Sequence, residues 1–280
     1  MKFKSILLVV GFAVMIVLSG CSETMHESSA YYYPNWMPDG RIICLKETNR
    51  WSDAIWGRRE LGSNYYIAAM NADGTNEQNL FEVPDMVEEI TCSPVGEKIA
   101  YQAEKLTISN YDGAQKTVFP TSAQYFDWSP DAARIVYSTG RKLYVTNADG
   151  TGTAQQIATS AEAVAWRVGS KIVFEDSFYN KIYAMDPASS SKEAIANISQ
   201  KPQITQSIRV IFRGQGDQVQ SVKIDGSDNQ VLFGSYSLTT LKLSFDNTKI
   251  VGGDLITGGG SWIGGIWIVN IDGSGEKRLR

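Results

Sequence analysis

Histidine occurs once in the 280 residues, at His26, and cysteine three times, at Cys21, Cys44 and Cys92. A Ser-His-Asp or Cys-His arrangement and most zinc sites need imidazole inside the folded body. His26 lies in the polar stretch Ser22 to Ala30 (SETMHESSA), so those enzyme classes are set aside. Carboxylates, tyrosine, lysine or a metal other than zinc remain for any chemistry. Long apolar runs are equally scarce: Ile6 to Leu18 is the one example, and its thirteen residues fall short of the roughly twenty that cross a bilayer. No comparably long helical pattern appears after it. A basic surplus is missing too, which speaks against nucleic acid as a partner. Gly258-Gly259-Gly260-Ser261 lacks the lysine and following helix of a phosphate loop, and no cofactor is expected.

The first twenty residues are ordered as a basic start (Lys2, Lys4), the apolar core, and Leu18-Ser19-Gly20-Cys21. That is the layout of a secretory signal. The closing tetrapeptide resembles the lipobox of bacterial lipoproteins. The resemblance implies cleavage before Cys21 and lipid, including palmitate, on its thiol. It also implies a location in the cell envelope outside the cytoplasm, which would be the periplasmic face of the outer membrane in a Gram-negative organism. Residues 1–20 then read as signal peptide, 21–30 as lipidated cysteine and flexible tether, and 31–280 as the folded domain. Losing Lys2 and Lys4 leaves 24 basic against 30 acidic residues, a net charge of −6. Cys44 and Cys92 sit in apolar stretches, where buried thiols are favoured over a disulfide, although an exported chain meets an oxidising compartment.

The domain is repetitive. Asp-Gly or Asp-Pro pairs recur at Asp73, Asp112, Asp149, Asp186, Asp225 and Asp272, in steps of 39, 37, 37, 39 and 47 residues. A period near forty points to a propeller. Each pair follows an alternating apolar run, such as Leu143-Tyr144-Val145 or Ile266-Trp267-Ile268-Val269, that reads as a strand. Upstream stands a second turn signal: Trp36-Met37-Pro38-Asp39-Gly40, Cys92-Ser93-Pro94-Val95-Gly96, Trp128-Ser129-Pro130-Asp131 and Phe245-Asp246-Asn247. Another strand follows it, for example Ile135-Val136-Tyr137. Proline presets one turn angle and Asp, Asn and Gly tolerate the next, so these pairs reverse the chain between strands. The expected fold is all-β, a six-bladed β-propeller of four-stranded antiparallel blades.

Trp128-Ser129-Pro130-Asp131 through Tyr144-Val145-Thr146-Asn147-Ala148-Asp149-Gly150-Thr151-Gly152 resembles the WD40-like repeat of the TolB propeller and of propellers in prolyl oligopeptidase relatives. Units one and six match in part, and units two, four and five are degenerate. The resemblance implies an architecture, and one architecture hosts many functions. The extra domain that precedes the propeller in TolB and the hydrolase domain of the peptidases have no counterpart here.

With a blade's strands lettered a to d, the a-to-b and c-to-d turns share one face, and their aspartates read as structural. The other face breaks the repeat. Lys46 to Asn64 lengthens unit one and Gly252 to Gly265 lengthens unit six, and the two are expected to meet on one rim. Arg50, Trp51, Trp56, Arg58 and Arg59 in the first, with Trp262 in the second, combine flat apolar surface with cationic donors. They are the candidate binding residues, set against a reading in which the tryptophans merely cover the open end. The function favoured by the sequence is a non-enzymatic module that binds an envelope protein, a peptide or a glycan and is held at a membrane by its N-terminal lipid. Two alternatives stand beside it. One is a glycosidase or lyase working through carboxylates in the central channel. The other is an assembly part docked through an apolar patch.

Overall fold

The computed structural model describes residues 24–280 apart from 55–56, 167–170, 177, 198–204, 207–208, 214–217, 235–239 and 259–260. Within strands it describes only the backbone of 54, 205–206, 213, 254–258 and 261–264. All regular structure among the described residues is β.

Six sheets of four antiparallel strands each take their strands consecutively from the chain. Blade 1 is β1 (Met25–Trp36), β2 (Ile42–Ala54), β3 (Gly57–Met70) and β4 (Gln78–Val83). Blade 2 is β5 (Glu89–Cys92), β6 (Lys98–Gln102), β7 (Leu106–Asn110) and β8 (Thr117–Val118). Blade 3 is β9 (Tyr125–Trp128), β10 (Arg134–Thr139), β11 (Lys142–Asn147) and β12 (Gln155–Thr159). Blade 4 is β13 (Ala161–Ala165), β14 (Ile172–Asp176), β15 (Lys181–Met185) and β16 (Lys192–Asn197). Blade 5 is β17 (Thr205–Gln206), β18 (Arg209–Arg213), β19 (Gln218–Lys223) and β20 (Gln230–Gly234). Blade 6 is β21 (Lys242–Leu243), β22 (Lys249–Gly258), β23 (Ser261–Asn270) and β24 (Lys277–Arg278). This is the six-bladed propeller that the repeat predicts.

Two compact units divide the chain. Ala30–Glu47 with Asn64–Arg280 form the propeller unit. Among the described residues the other unit comprises 24–29, 48–54 and 57–63, the outer ends of β1, β2 and β3. Strand β1 begins at Met25, so most of the segment read as tether is extended backbone. The described residues of the insertion Lys46 to Asn64 are likewise strand.

Apolar side chains of adjoining blades interlock to form the core. One cluster joins Ile43, Leu45 and Ile67 of blade 1 to Ile90, Cys92 and Ile99 of blade 2, and another joins Val136 and Leu143 of blade 3 to Phe174 of blade 4. Cys44 and Cys92 are buried, and neither forms a disulfide among the described residues. Burial pushes the Cys44 thiol far above its ordinary value.

The turn chemistry is as regular as the sequence. In all six c-to-d turns the aspartate Oδ1 accepts the backbone N–H two residues on, from Thr75, Ala114, Thr151, Ala188, Ser227 and Ser274. The a-to-b turns repeat this with Asp39, Asp131 and Asp246. These carboxylates are structural. The glycine after the aspartate does more than turn the chain. Gly113 has φ +77, and a Cβ there would lie 2.7 Å from Phe81 Cγ on the preceding blade, so only a bare Cα lets the turn rest on that ring. Gly273 rests on Phe233 in the same way: a Cβ there would lie 2.8 Å from Phe233 Cβ and 3.1 Å from its ring carbon Cγ.

Ring closure repeats the contacts made between other blades. Trp128 Nε1 donates to Thr91 O of blade 2 at 3.3 Å, and Trp36 Nε1 donates to Lys242 O of blade 6 at 3.0 Å. Gly74 lies against Leu279 as Gly113 lies against Phe81. Among the described strands, none is exchanged between blades 1 and 6. An ionic knot reinforces the closure: Glu77 takes Lys46 Nζ at 2.7 Å, the Tyr31 hydroxyl at 2.8 Å and Arg280 Nε at 3.2 Å. Partial burial raises the Glu77 pKa, but the bonds from Lys46, Tyr31 and Arg280 outweigh it and hold the carboxyl below its ordinary value. Tyr31 is pushed up to about 12, by burial first and then by its bond to Glu77.

Candidate binding sites

In the smaller unit the alternating residues Asn49, Trp51 and Asp53 of β2 share one face of the strand, with β1 on one side and β3 on the other. The His26 ring from β1 stacks on Trp51 at 5.5 Å and 14°, and the Arg58 guanidinium from β3 lies over the indole at 4.1 Å. His26 Nε2 also meets Asp53 Oδ2 at 2.7 Å, and Arg58 Nε meets Glu60 Oε1 at 2.6 Å. The single histidine is therefore not on a loose tether. Strand pairing of β1 with the lengthened β2 carries it into an aromatic stack, where it orients Trp51.

Of the sequence-selected residues, Trp51 and Arg58 are in contact, and Arg50 and Arg59 lie exposed on the same hairpin. Trp56 lies outside the described residues. Trp262 is paired in backbone register with Thr257, but its side chain lies outside the described residues, as does the expected meeting of the two rims.

Sequence reasoning missed a feature of the propeller unit. At the b-to-c turn of blade 4, Phe178 and Tyr179 are 72% and 58% exposed and pack edge to face at 5.0 Å. The buried Asp176 carboxylate accepts the N–H of both, at 3.1 and 3.4 Å, and pairs with Lys192 at 3.5 Å. The signal was there: two adjacent aromatics between Asp176 and Asn180 in a tight turn have no common core to enter.

Three glutamates, Glu89, Glu162 and Glu175, come near Tyr125. Its phenol pKa is raised by burial first and then by their negative charges. Glu89 is paired with Lys242 at 2.8 Å and Glu162 with Arg141 at 3.4 Å, so two of the three already hold cations. Among the described residues no group of three or more histidine, cysteine and acidic side chains is placed to hold a metal.

A blade count of six with four consecutive strands per blade decides the comparison. The fold is a TolB-like propeller. A solved structure described as TolB from Agrobacterium tumefaciens superposes with a TM-score of 0.60 at 16% identity, covering 75% of this chain and 86% of that one. The propeller in a nidogen/laminin complex superposes with a TM-score of 0.53 at 12% identity, covering 75% and 94%. No family model matches the chain, and no curated protein matches it. At such identities the likeness concerns architecture.

Proposed function

We propose that this chain is an envelope lipoprotein, lipid-modified on Cys21, whose TolB-like propeller presents a non-catalytic recognition surface for a protein partner. The observation that carries the recognition reading is the Trp51 stack. An indole held between His26 and Arg58 offers rigid apolar area beside guanidinium donors, with Arg50 and Arg59 exposed nearby. Aromatic and arginine anchors of this kind dominate binding energy in protein interfaces. Phe178 and Tyr179 give the propeller unit a second exposed anchor. A chain of similar fold was solved in a nidogen/laminin complex, a precedent for protein recognition on this architecture.

The lipid reading rests on Leu18-Ser19-Gly20-Cys21 after a thirteen-residue apolar core. Labelled palmitate fed to cells is expected to appear in the wild type and to be absent from Cys21→Ser, which should partition into the aqueous phase. Labelled Cys21→Ser would overturn it. For the partner, crosslinking in intact cells followed by mass spectrometry compares wild type with a Trp51→Ala, Arg58→Ala double variant. Loss of a reproducible crosslinked protein from a folded variant is the expected result, and an unchanged crosslinking pattern sinks the assignment. An enzymatic role through Glu89, Glu162 and Glu175 has weaker support because two of them are ion-paired.

A further inference from the structure

The repeat contains one conspicuous substitution. A basic residue opens the second strand of each blade or stands immediately before it: Arg41, Lys98, Arg134, Lys171, Arg209 and Lys249. Three positions later stand Cys44, Tyr101, Tyr137, Phe174, Phe212 and, in blade 6, Gly252. Four blades thus place an aromatic ring where blade 6 has no side chain.

Those rings fill the junction with the preceding blade. Tyr101 packs on Phe81 of blade 1 at 5.8 Å, and Tyr137, Phe174 and Phe212 share apolar clusters with Leu106 of blade 2, Leu143 of blade 3 and Ile182 of blade 4; within their own blades Tyr137 stacks on Tyr144 at 5.4 Å and Phe174 on Tyr183 at 5.8 Å. The junction of blades 5 and 6 reproduces the surroundings of Tyr101. Phe233 rests under Gly273 as Phe81 rests under Gly113. Trp267 stands opposite Gly252 in register, as Tyr144 stands opposite Tyr137. Bordering Gly252 is a cleft of about 220 Å³, lined by Phe233, Gly234, Gly252, Trp267, Val269, Gly273 and Glu276.

Backbone geometry does not explain the glycine. Gly252 sits in unbroken antiparallel pairing and not at a positive φ. A glycine inside a strand weakens it and marks close approach of something else. Size narrows what that is: an apolar cavity of about 150 Å³ takes one benzene, whereas drug-sized ligands occupy roughly 300–1,000 Å³. The cleft suits a single ring. Its aromatic walls favour stacking, and the exposed Glu276 carboxylate at its edge favours a positive charge beside the ring.

We propose that the cleft between blades 5 and 6 receives an aromatic side chain of a peptide, flanked by a basic residue that faces Glu276. The ligand ring occupies the place that Tyr101 fills in blade 2. This site goes beyond the Trp51 surface and stands on separate residues, so either assignment can fail alone.

The test is calorimetric titration of the full-length protein in detergent with three capped dipeptide amides, Lys-Tyr, Glu-Tyr and Lys-Ala. Lys-Tyr is expected to bind, Glu-Tyr to bind several-fold more weakly, and Lys-Ala to show no heat. Gly252→Phe should abolish binding while keeping or raising the melting temperature, because its ring fills the cleft. Trp267→Leu should also abolish binding, and it decides the matter if Gly252→Phe does not fold. Lys-Tyr binding that survives Trp267→Leu in the folded protein overturns the proposal, as does absence of Lys-Tyr binding to wild type at millimolar concentration. Equal affinity for Lys-Tyr and Glu-Tyr overturns the part assigned to Glu276.

Discussion

On the face that carries the a-to-b and c-to-d turns, nine aspartates each spend a carboxylate oxygen on the N–H two residues on in the same loop. On the face of the b-to-c turns, Asp176 uses the same chemistry to hold two exposed aromatics in place. One device is repeated until it is architecture, and the other, among the described b-to-c turns, displays something. The contrast separates residues that make the ring from residues that give this ring a use. A repeated polar group with an internal partner belongs to the scaffold, and departures from the repeat are where function concentrates.

The sharpest way to break the contrast is at the scaffold glycines. Gly113→Ala is expected to cost about 2–5 kcal/mol, from a left-handed backbone at roughly 1–2 kcal/mol and overpacking against Phe81 at about 1–3 kcal/mol. Gly40→Ala has a similar φ of +85 but nothing within 4 Å of its Cβ, so only the backbone cost of roughly 1–2 kcal/mol applies. Urea unfolding of the pair measures the difference. Equal losses would show that the turn does not rest on the preceding blade.

Ring closure comes next in size. Glu77→Ala leaves Lys46, the Tyr31 hydroxyl and Arg280 without their shared acceptor. At side-chain exposures of 17% for Lys46 and 18% for Glu77, the loss is expected to be about 1–3 kcal/mol. Proteolysis of the variant should begin in blade 1 or blade 6. First cuts in blade 3 or 4 would show that the Glu77 knot is not the local clasp.

This knot shows where sequence reading stopped. Strand positions, blade number and the structural role of the turn aspartates were legible because each rests on local chemistry: alternation, proline, and Asp-Gly at fixed spacing. Glu77 and Arg280 lie some two hundred residues apart, and nothing local marks them as partners. His26 escaped for a related reason: the polar segment around it has no apolar alternation, yet it is drawn into strand β1 by pairing with the long β2. Gly252 was visible as a letter, but it became informative only when the register placed it level with Tyr101, Tyr137 and Phe174. Arg50, Trp51, Arg58 and Arg59 stood out as an interruption of the repeat. Their mutual geometry, with one indole taken up by histidine and arginine, was not readable from spacing.

A broader and gentler test of the scaffold is acid. Asp73, Asp149, Asp225 and Asp272 have pKa values lowered first by a hydroxyl donor and then by a backbone N–H, and Asp131 and Asp246 are lowered first by Ser129 and Ser244. A folded pKa below the unfolded one means that the unfolded chain takes up protons first. The stability these groups contribute is fully present above the ordinary value of 3.8. It is lost as pH falls through their lower folded values. Melting temperature should hold between pH 7 and 5 as far as these groups control it, and drop below pH 4. A drop already complete at pH 5 would point to other groups.

The smallest effect isolates a single turn. Asp149 Oδ1 accepts from Thr151 N at 2.9 Å and from Thr151 Oγ1 at 2.6 Å, and Asn147 Nδ2 donates to the same hydroxyl at 3.1 Å. Asp149→Asn keeps an acceptor oxygen in place and removes only the charge. At neutral pH the variant should melt close to wild type, because the turn is exposed and solvent screens its electrostatics. Asp149→Ala removes the acceptor and should melt lower than Asp149→Asn. The acid limb separates both variants from wild type: each should show a slightly shallower decline below pH 4, since one titrating group has gone. If Asp149→Asn were as damaging as Asp149→Ala at pH 7, charge and not hydrogen-bond geometry would hold the turn, and the six repeated aspartates would have to be reread as an electrostatic ring.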